Sequence, residues 1–320
     1  AIRVLPCHTI VHRQDWFLEE GYRARTDREE LGFLDRSFEL HFNERPFLNH
    51  FSYLFITRTT KERMRQQSNF SVLCRGHILP REVRDKDGVL RFLEAVEQFE
   101  RIIRDSGLVR LERLTTEEIT GKGKEAGLVE KYFSLSQEDT TTLEDIRLGG
   151  AEMRVGDKRL SVHTLSEADD LPAAVRTDGR FEKYSTDRSD CRLSFAAPVG
   201  LMLPHNHICN LYVFIDDPAE TLRNFEKAAR NMRSLSRYSR ANEINRQWTE
   251  EYLNEAHSFG LVPVRCHCNV MAWSEDRERL RNIRNDTGSA LAQMGCKPRH
   301  NTVDAPTLYW AGIPGGEGDF

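Results

Sequence analysis

Leu211-Tyr212-Val213-Phe214-Ile215, followed by Asp216-Asp217-Pro218 and, two helix lengths later, by Val264-Arg265-Cys266-His267-Cys268-Asn269-Val270-Met271-Ala272-Trp273, is the stretch on which the fold turns. In the first run Leu211, Val213 and Ile215 share one side and Tyr212 and Phe214 the other, so a strand covered on both faces is expected. Asp216-Asp217-Pro218 stops that strand and starts a helix, because proline is pre-set for a first helical turn. Leu222, Phe225, Ala229, Met232 and Leu235 then recur at steps of three and four, one continuous apolar stripe. The other side of this helix carries Arg223, Lys227, Arg230, Arg233, Arg237 and Arg240. Ser239 offers a cap for a second helix, with the stripe Ala241, Ile244, Trp248, Tyr252 and Ala256, and Gly260 suits the position after its last turn. The stretch therefore reads as strand, helical layer, strand.

Working outward, residues 3–11 alternate loosely, as a strand does. Thr26 and Glu29 form a capping box ahead of Leu31, Leu34, Phe38 and Phe42 at helical spacing, and Pro46 ends that helix. Phe51, Tyr53, Phe55 and Thr57 predict a strand, residues 61–75 a polar helix, and Val89 to Ile103 an amphipathic helix closed by Gly107. A strand over 108–114 is expected next. Charged, Thr- and Gly-rich segments at 115–127 and 137–150 flank a short helical piece around 128–133, which predicts a mobile connection over 115–150. Beyond it come a hairpin at 153–160, strands at 181–186 and 193–203, a long helix capped by Ser274 and running through Leu280 to Met294, and a closing strand at 297–303. The expected architecture is α+β, with mixed sheets, long amphipathic helices packed on them, and two α/β subdomains at 1–149 and 150–320.

Composition narrows the function classes. A chain of 320 residues with 39% hydrophobic and 30% charged side chains is built for a sizeable core. Its net charge of -4 argues against a general coat for nucleic acid, so any anion site must be a local patch. No apolar run approaches the roughly 20 residues that span a bilayer. Seven cysteines, an odd number spread over the whole length, do not make a small disulfide scaffold and point to a reducing cytoplasm. The chain begins within an expected strand and stops in Gly-rich 312–320, read as linker, so a piece of a longer protein is expected.

Three constellations bear on chemistry. His205, His207 and Cys209, with Cys266 and Cys268, place ligand-type residues two apart on strands, and Cys191, Cys296 and His300 could join them. Their spacing departs from the usual zinc patterns, and free cysteine usually packs as a small hydrophobe, so no metal is expected. Asp286-Thr287-Gly288-Ser289 imitates an aspartic-protease signature but lies in a helical pattern without a second copy. No Gly-x-x-x-x-Gly-Lys-Ser/Thr loop occurs, so no nucleotide hydrolysis and no catalytic residue are expected in this chain. The basic stripe Arg223, Arg230, Arg233, Arg237 and Arg240 on helix 218–240 is the candidate for gripping a partner, an anion or DNA. Against that stands a solvated face neutralised by Glu226, Glu243, Glu250, Glu251 and Glu255.

Five blocks, taken in order, carry a resemblance: His41-Phe-Asn-Glu-Arg-Pro-Phe-Leu48, Gln67-Ser-Asn-Phe-Ser-Val-Leu-Cys-Arg-Gly-His77, Ser185-Thr-Asp-Arg-Ser-Asp-Cys-Arg-Leu-Ser-Phe195, Ala229-Arg-Asn-Met-Arg-Ser-Leu-Ser-Arg-Tyr-Ser-Arg240 and Gly295-Cys-Lys-Pro-Arg-His-Asn301. The chain resembles, over nearly its whole length, the N-terminal region of TraG-type ATPases of conjugative transposons, relatives of the VirB-type ATPases of type IV secretion. The resemblance implies a docking and assembly domain, cytoplasmic and peripheral to the inner membrane. Its implied partners are other secretion components and its own C-terminal ATPase domain, with self-association and DNA contact left open. It implies a motor domain beyond residue 320 that uses ATP and Mg, and carries no cofactor or catalytic residue onto this chain. The alternatives are a DNA-binding module built on the Arg stripe of 218–240 and a His/Cys metal-binding domain.

Overall fold

The computed structural model describes residues 1–20, 32–43, 47–60, 85–138, 144–148, 152–165, 167–172, 175, 180, 182, 185–190, 194–200, 203–236 and 238–319. Eight strands make one sheet: β1 (Thr9–Glu20), β2 (Phe47–Arg58), β3 (Ile146–Arg147), β4 (Arg154–Val155), β5 (Lys158–Leu165), β6 (His207–Ile215), β7 (Arg265–Ser274) and β8 (Arg299–Asn301). Their order is β2-β1-β6-β7-β5-β4-β3, with β8 also beside β5, and every described pairing is antiparallel rather than mixed. Nine helices are described: α1 (Phe33–Asn43), α2 (Lys86–Asp105), α3 (Thr116–Thr120), α4 (Leu128–Ser134), α5 (Ala197–Gly200), α6 (Pro218–Leu235), α7 (Arg240–Phe259), α8 (Arg277–Gln293) and α9 (Ala305–Ala311). The fold is α+β. β1 pairs with β6 from Thr9↔Ile215 to Phe17↔His207, so a boundary at 149–150 does not separate two sheets.

Paired residues of an antiparallel ladder share a face, so the register sorts the side chains. On one face Trp16, Ile208, Met271, Trp273, Leu160 and Val162 meet Tyr132 of α4 and Leu308 and Tyr309 of α9 in the largest buried cluster. Tyr132 and Tyr309 lock the two cover helices reciprocally. Each hydroxyl donates to the other's carbonyl, at 2.8 Å from Tyr132 and 3.2 Å from Tyr309. A Cβ on Gly312 would overlap the Tyr132 hydroxyl, so the chain can leave α9 there only as glycine. On the opposite face α8 covers Leu165 and Val270, while Phe99 of α2 sits with Leu5, Val11 and Ile215. Among the described residues no helix is long and apolar enough to cross a membrane.

Several expectations change. The N-terminal strand starts at Thr9, after a 3-10 turn at Ile2–Val4, and continues to Glu20. Residues 108–115 carry no ladder. Leu108 is 86% exposed, and the segment is tied to α2 by Arg113–Glu100 and by Arg104 donating to the Leu111 carbonyl. Within 193–203 the described residues form a turn and α5, because Pro198 lacks a ladder donor but fits a first helical turn. Gly200 accordingly donates to the Ala196 carbonyl. The stretch 115–138, read as part of a loose connection, is built into the body. Thr115 and Glu118 close a capping box, and Tyr132 and Leu135 are buried. Asp276 rather than Ser274 caps α8, accepting from Glu278 and Arg279. The Thr26–Glu29 box, Pro46, the helix at 61–75 and most of 181–186 lie outside the described residues. α1 forms where helical spacing predicted it, with Phe33, Leu34 and Phe38 exposed.

Candidate docking site

The connection from β6 to its neighbour β7 is a helical arm. At its base Asp216 accepts from Arg265 at 2.6 Å, joining the end of one strand to the start of the next, and the Arg265 guanidinium lies 5.1 Å from the Phe214 ring centre. Asp217 caps α6, its carboxylate accepting from the Ala219 and Glu220 amides, with Pro218 in the first turn. Helices of 18 and 20 residues reach about 27 and 30 Å. They pack on each other and, among the described residues, make no comparable contact with another element. Phe225 meets Tyr252 edge to face at 5.3 Å, and Glu226 lies 3.6 Å from His257. Gly260, at φ +58°, takes the left-handed turn that ends α7, a conformation a Cβ would strain.

The arm buries little. Only Ala229, Leu253 and Ala256 are buried within its two helices. Only the later half of the expected α7 stripe packs: Ala256 is buried and Tyr252 meets Phe225 of α6, while Trp248 is 65% exposed and Ile244 37%. Helical spacing marks which residues share a side; among the described residues nothing lies over the Ile244–Trp248 part of it to bury them.

The structure divides the basic stripe expected on one helix over 218–240: Arg223, Arg230 and Arg233 lie on α6, which ends at Leu235, and Arg240 opens α7. Arg223, Arg230, Arg233 and Arg240 are exposed; Arg237 lies outside the described residues. Three of the five acids expected to neutralise them, Glu226, Glu243 and Glu250, are engaged elsewhere. Arg246 holds Glu243 at 2.7 Å and Glu250 at 2.6 Å, both within α7, and Glu226 faces His257. Arg223 donates to the Ala219 carbonyl of its own helix, and among the described residues none of the four forms an ion pair. Along α6 the sign changes. Asp217, Glu220 and Glu226 mix with Arg223, Lys227 and Arg230 around an open depression of about 600 Å³, whereas from Lys227 to Asn242 there is no carboxylate.

Among the described residues the candidate His and Cys side chains do not converge; Cys191 lies outside them. Cys209 sits opposite Val270 and Cys268 opposite Leu211, so both thiols enter the apolar cluster under α8 with Cys296, Val199 and Leu291. Burial pushes the Cys209 thiol well above its usual value and Cys268 up to about 12, which keeps both protonated and poor as ligands. Cys266 is exposed at the end of β7, against the burial its spacing suggested. His207 donates from Nδ1 to the His205 carbonyl at 2.6 Å and stacks on Phe17 at 4.6 Å, and burial lowers its pKa to about 4. His205 turns away to Asp286 at 2.8 Å, which places that aspartate on α8 in a surface contact. Among the described residues no three His, Cys, Asp or Glu side chains are grouped as metal ligands.

A buried polar seam went unread in the sequence. His12 Nδ1 lies 3.2 Å from the Glu317 carboxylate and its Nε2 2.9 Å from the Asn210 side-chain oxygen Oδ1. Gln14 donates to Asn210 and to the Gly312 carbonyl, Trp16 donates to Gln14, Asn210 donates to Asn269, and Thr57 donates to Glu317. His12, Gln14, Asn210 and Glu317 are all 0% exposed. The seam crosses β2, β1, β6 and β7 and fixes their register, since a one-residue slip would unpair every member. Alternate polar residues in β1 were its only signal, and they resemble a solvated face. A scan against models of known protein families and a search of curated proteins both find no match to this chain.

Proposed function

We propose that this chain is the docking and assembly domain of a TraG-type conjugation ATPase, acting with channel components at the cytoplasmic face of the inner membrane. The motor that spends ATP and Mg belongs to a further domain, and this chain transmits rather than performs chemistry. The observation that supports the reading is the arm. It is anchored at one end to two central strands, and it holds out Arg223, Arg230, Arg233 and Arg240, none of which pairs with an acid among the described residues. Exposed charge without an internal partner is available for electrostatic recognition and steering of a partner. The five sequence blocks supply the family. DNA is the second reading, favoured by the same free arginines; a salt-steep affinity for duplex would support it.

The test is charge reversal, Arg223→Glu with Arg230→Glu, in the full-length protein in its own cell. Loss of DNA transfer at unchanged protein level and unchanged ATP hydrolysis is expected. Transfer at the original rate would sink the reading. The isolated chain should release no phosphate from ATP.

A further inference from the structure

We propose that the tip of the arm docks on an anionic lipid surface. The inference rests on the docking reading above and names what the basic tip grips. Between Lys227 and Asn242 the sequence holds five cations and no carboxylate, in a chain whose net charge is -4. Four of the five, Lys227, Arg230, Arg233 and Arg240, are described, exposed and without an ion pair among the described residues. Arg233 and Arg240 flank the turn of the arm, at the end opposite its junctions with β6 and β7, while Lys227 and Arg230 lie back along α6.

Two side chains decide between anionic partners. Leu235, 49% exposed, and Tyr238, 86% exposed, stand at the turn between α6 and α7, within this basic cluster. Tyrosine and leucine flanked by arginine suit a bilayer interface, where the ring and the aliphatic chain enter the acyl boundary while guanidinium groups stay at the headgroups. A nucleic-acid phosphate backbone offers the leucine nothing. The depth of such an interface, about 5–10 Å, matches the last turn of α6 and the first turn of α7 and leaves the rest of the arm as a spacer for the body.

The full chain is sedimented with vesicles of phosphatidylcholine alone and of phosphatidylcholine mixed with phosphatidylglycerol. Binding to the mixed vesicles only is expected. Arg233→Ala and Arg240→Ala each lower it about five-fold, the equivalent of about 1 kcal/mol per basic residue near such a surface. Tyr238→Ser and Leu235→Ser lower it further at unchanged charge, with duplex DNA binding unmoved. Unchanged thermal unfolding of each variant shows that the arm still folds. Equal binding to both vesicles, no binding to either, or insensitivity to Tyr238→Ser and Leu235→Ser overturns the proposal. If vesicles fail to bind while charge reversal still abolishes transfer, this inference falls and the docking reading stands. If vesicles bind and reversal leaves transfer intact, the docking reading falls alone.

Discussion

The arm and the C-terminal turn relate sequence to burial in opposite ways. Residues 218–235 and 240–259 show helical periodicity, yet Trp248, Leu235 and Ile244 end up exposed. Residues 312–319 are Gly-rich and without periodicity, yet Gly312 and Glu317 are buried, and Glu317 holds His12 of β1 and Thr57 of the edge strand β2 together. The difference teaches that amphipathic spacing determines which side chains share a side of a helix. Whether that side meets a layer depends on elements elsewhere in the chain. The arm is cheap to alter and available to partners; the turn is structural and closed to them.

This contrast can be broken by measurement. Tyr309→Ala removes an aromatic packed against Tyr132 and Trp310, together with its hydrogen bond, and should cost about 4 kcal/mol in denaturant unfolding. A cost below about 1 kcal/mol would mean that α9 is not part of the cooperative body. Acid comes next. His207 has a folded pKa of about 4 against an ordinary 6.5, so the unfolded chain takes the proton first. Stability is full above pH 6.5, falls as pH drops toward 4, and loses about 3 kcal/mol through this residue once below it. His207→Gln should flatten that part of a pH series of unfolding curves, and an unchanged slope would remove His207 as the cause. Glu317→Ala leaves His12 and Thr57 short of a partner without water to replace it, at about 2–3 kcal/mol. Arm variants are smallest: Trp248→Ser and Arg233→Ala should move the unfolding midpoint by no more than about 0.5 kcal/mol. A large loss on Trp248→Ser would show that the arm folds against something this comparison has missed.

Much of the fold was legible. The strand at 211–215, the Asp217-Pro218 start and the Gly260 stop fall where residue chemistry puts them, whereas the basic stripe expected on one helix is shared between α6 and the start of α7. The free state of the arginines was not legible, since it depends on Arg246 taking Glu243 and Glu250, a choice among several equally spaced pairs. The turn and α5 at 194–200 went unread because alternating Ala, Val and Gly suits a strand as well as a turn until the lost donor of Pro198 is placed. The His and Cys residues read as a possible centre because period-two spacing describes a face and is silent on what covers it; α8 does, and its apolar side leaves the thiols protonated.

From residues alone came the α+β class, the two arm helices and their charge, because spacing, caps and prolines act over a few neighbours. Tertiary structure alone decided that one antiparallel sheet joins both halves of the chain, that the Gly-rich end is core, and that the arm's arginines stand free. Each of those rests on partners more than a hundred residues apart in sequence or on competition among nearby acids, and local propensity contains neither.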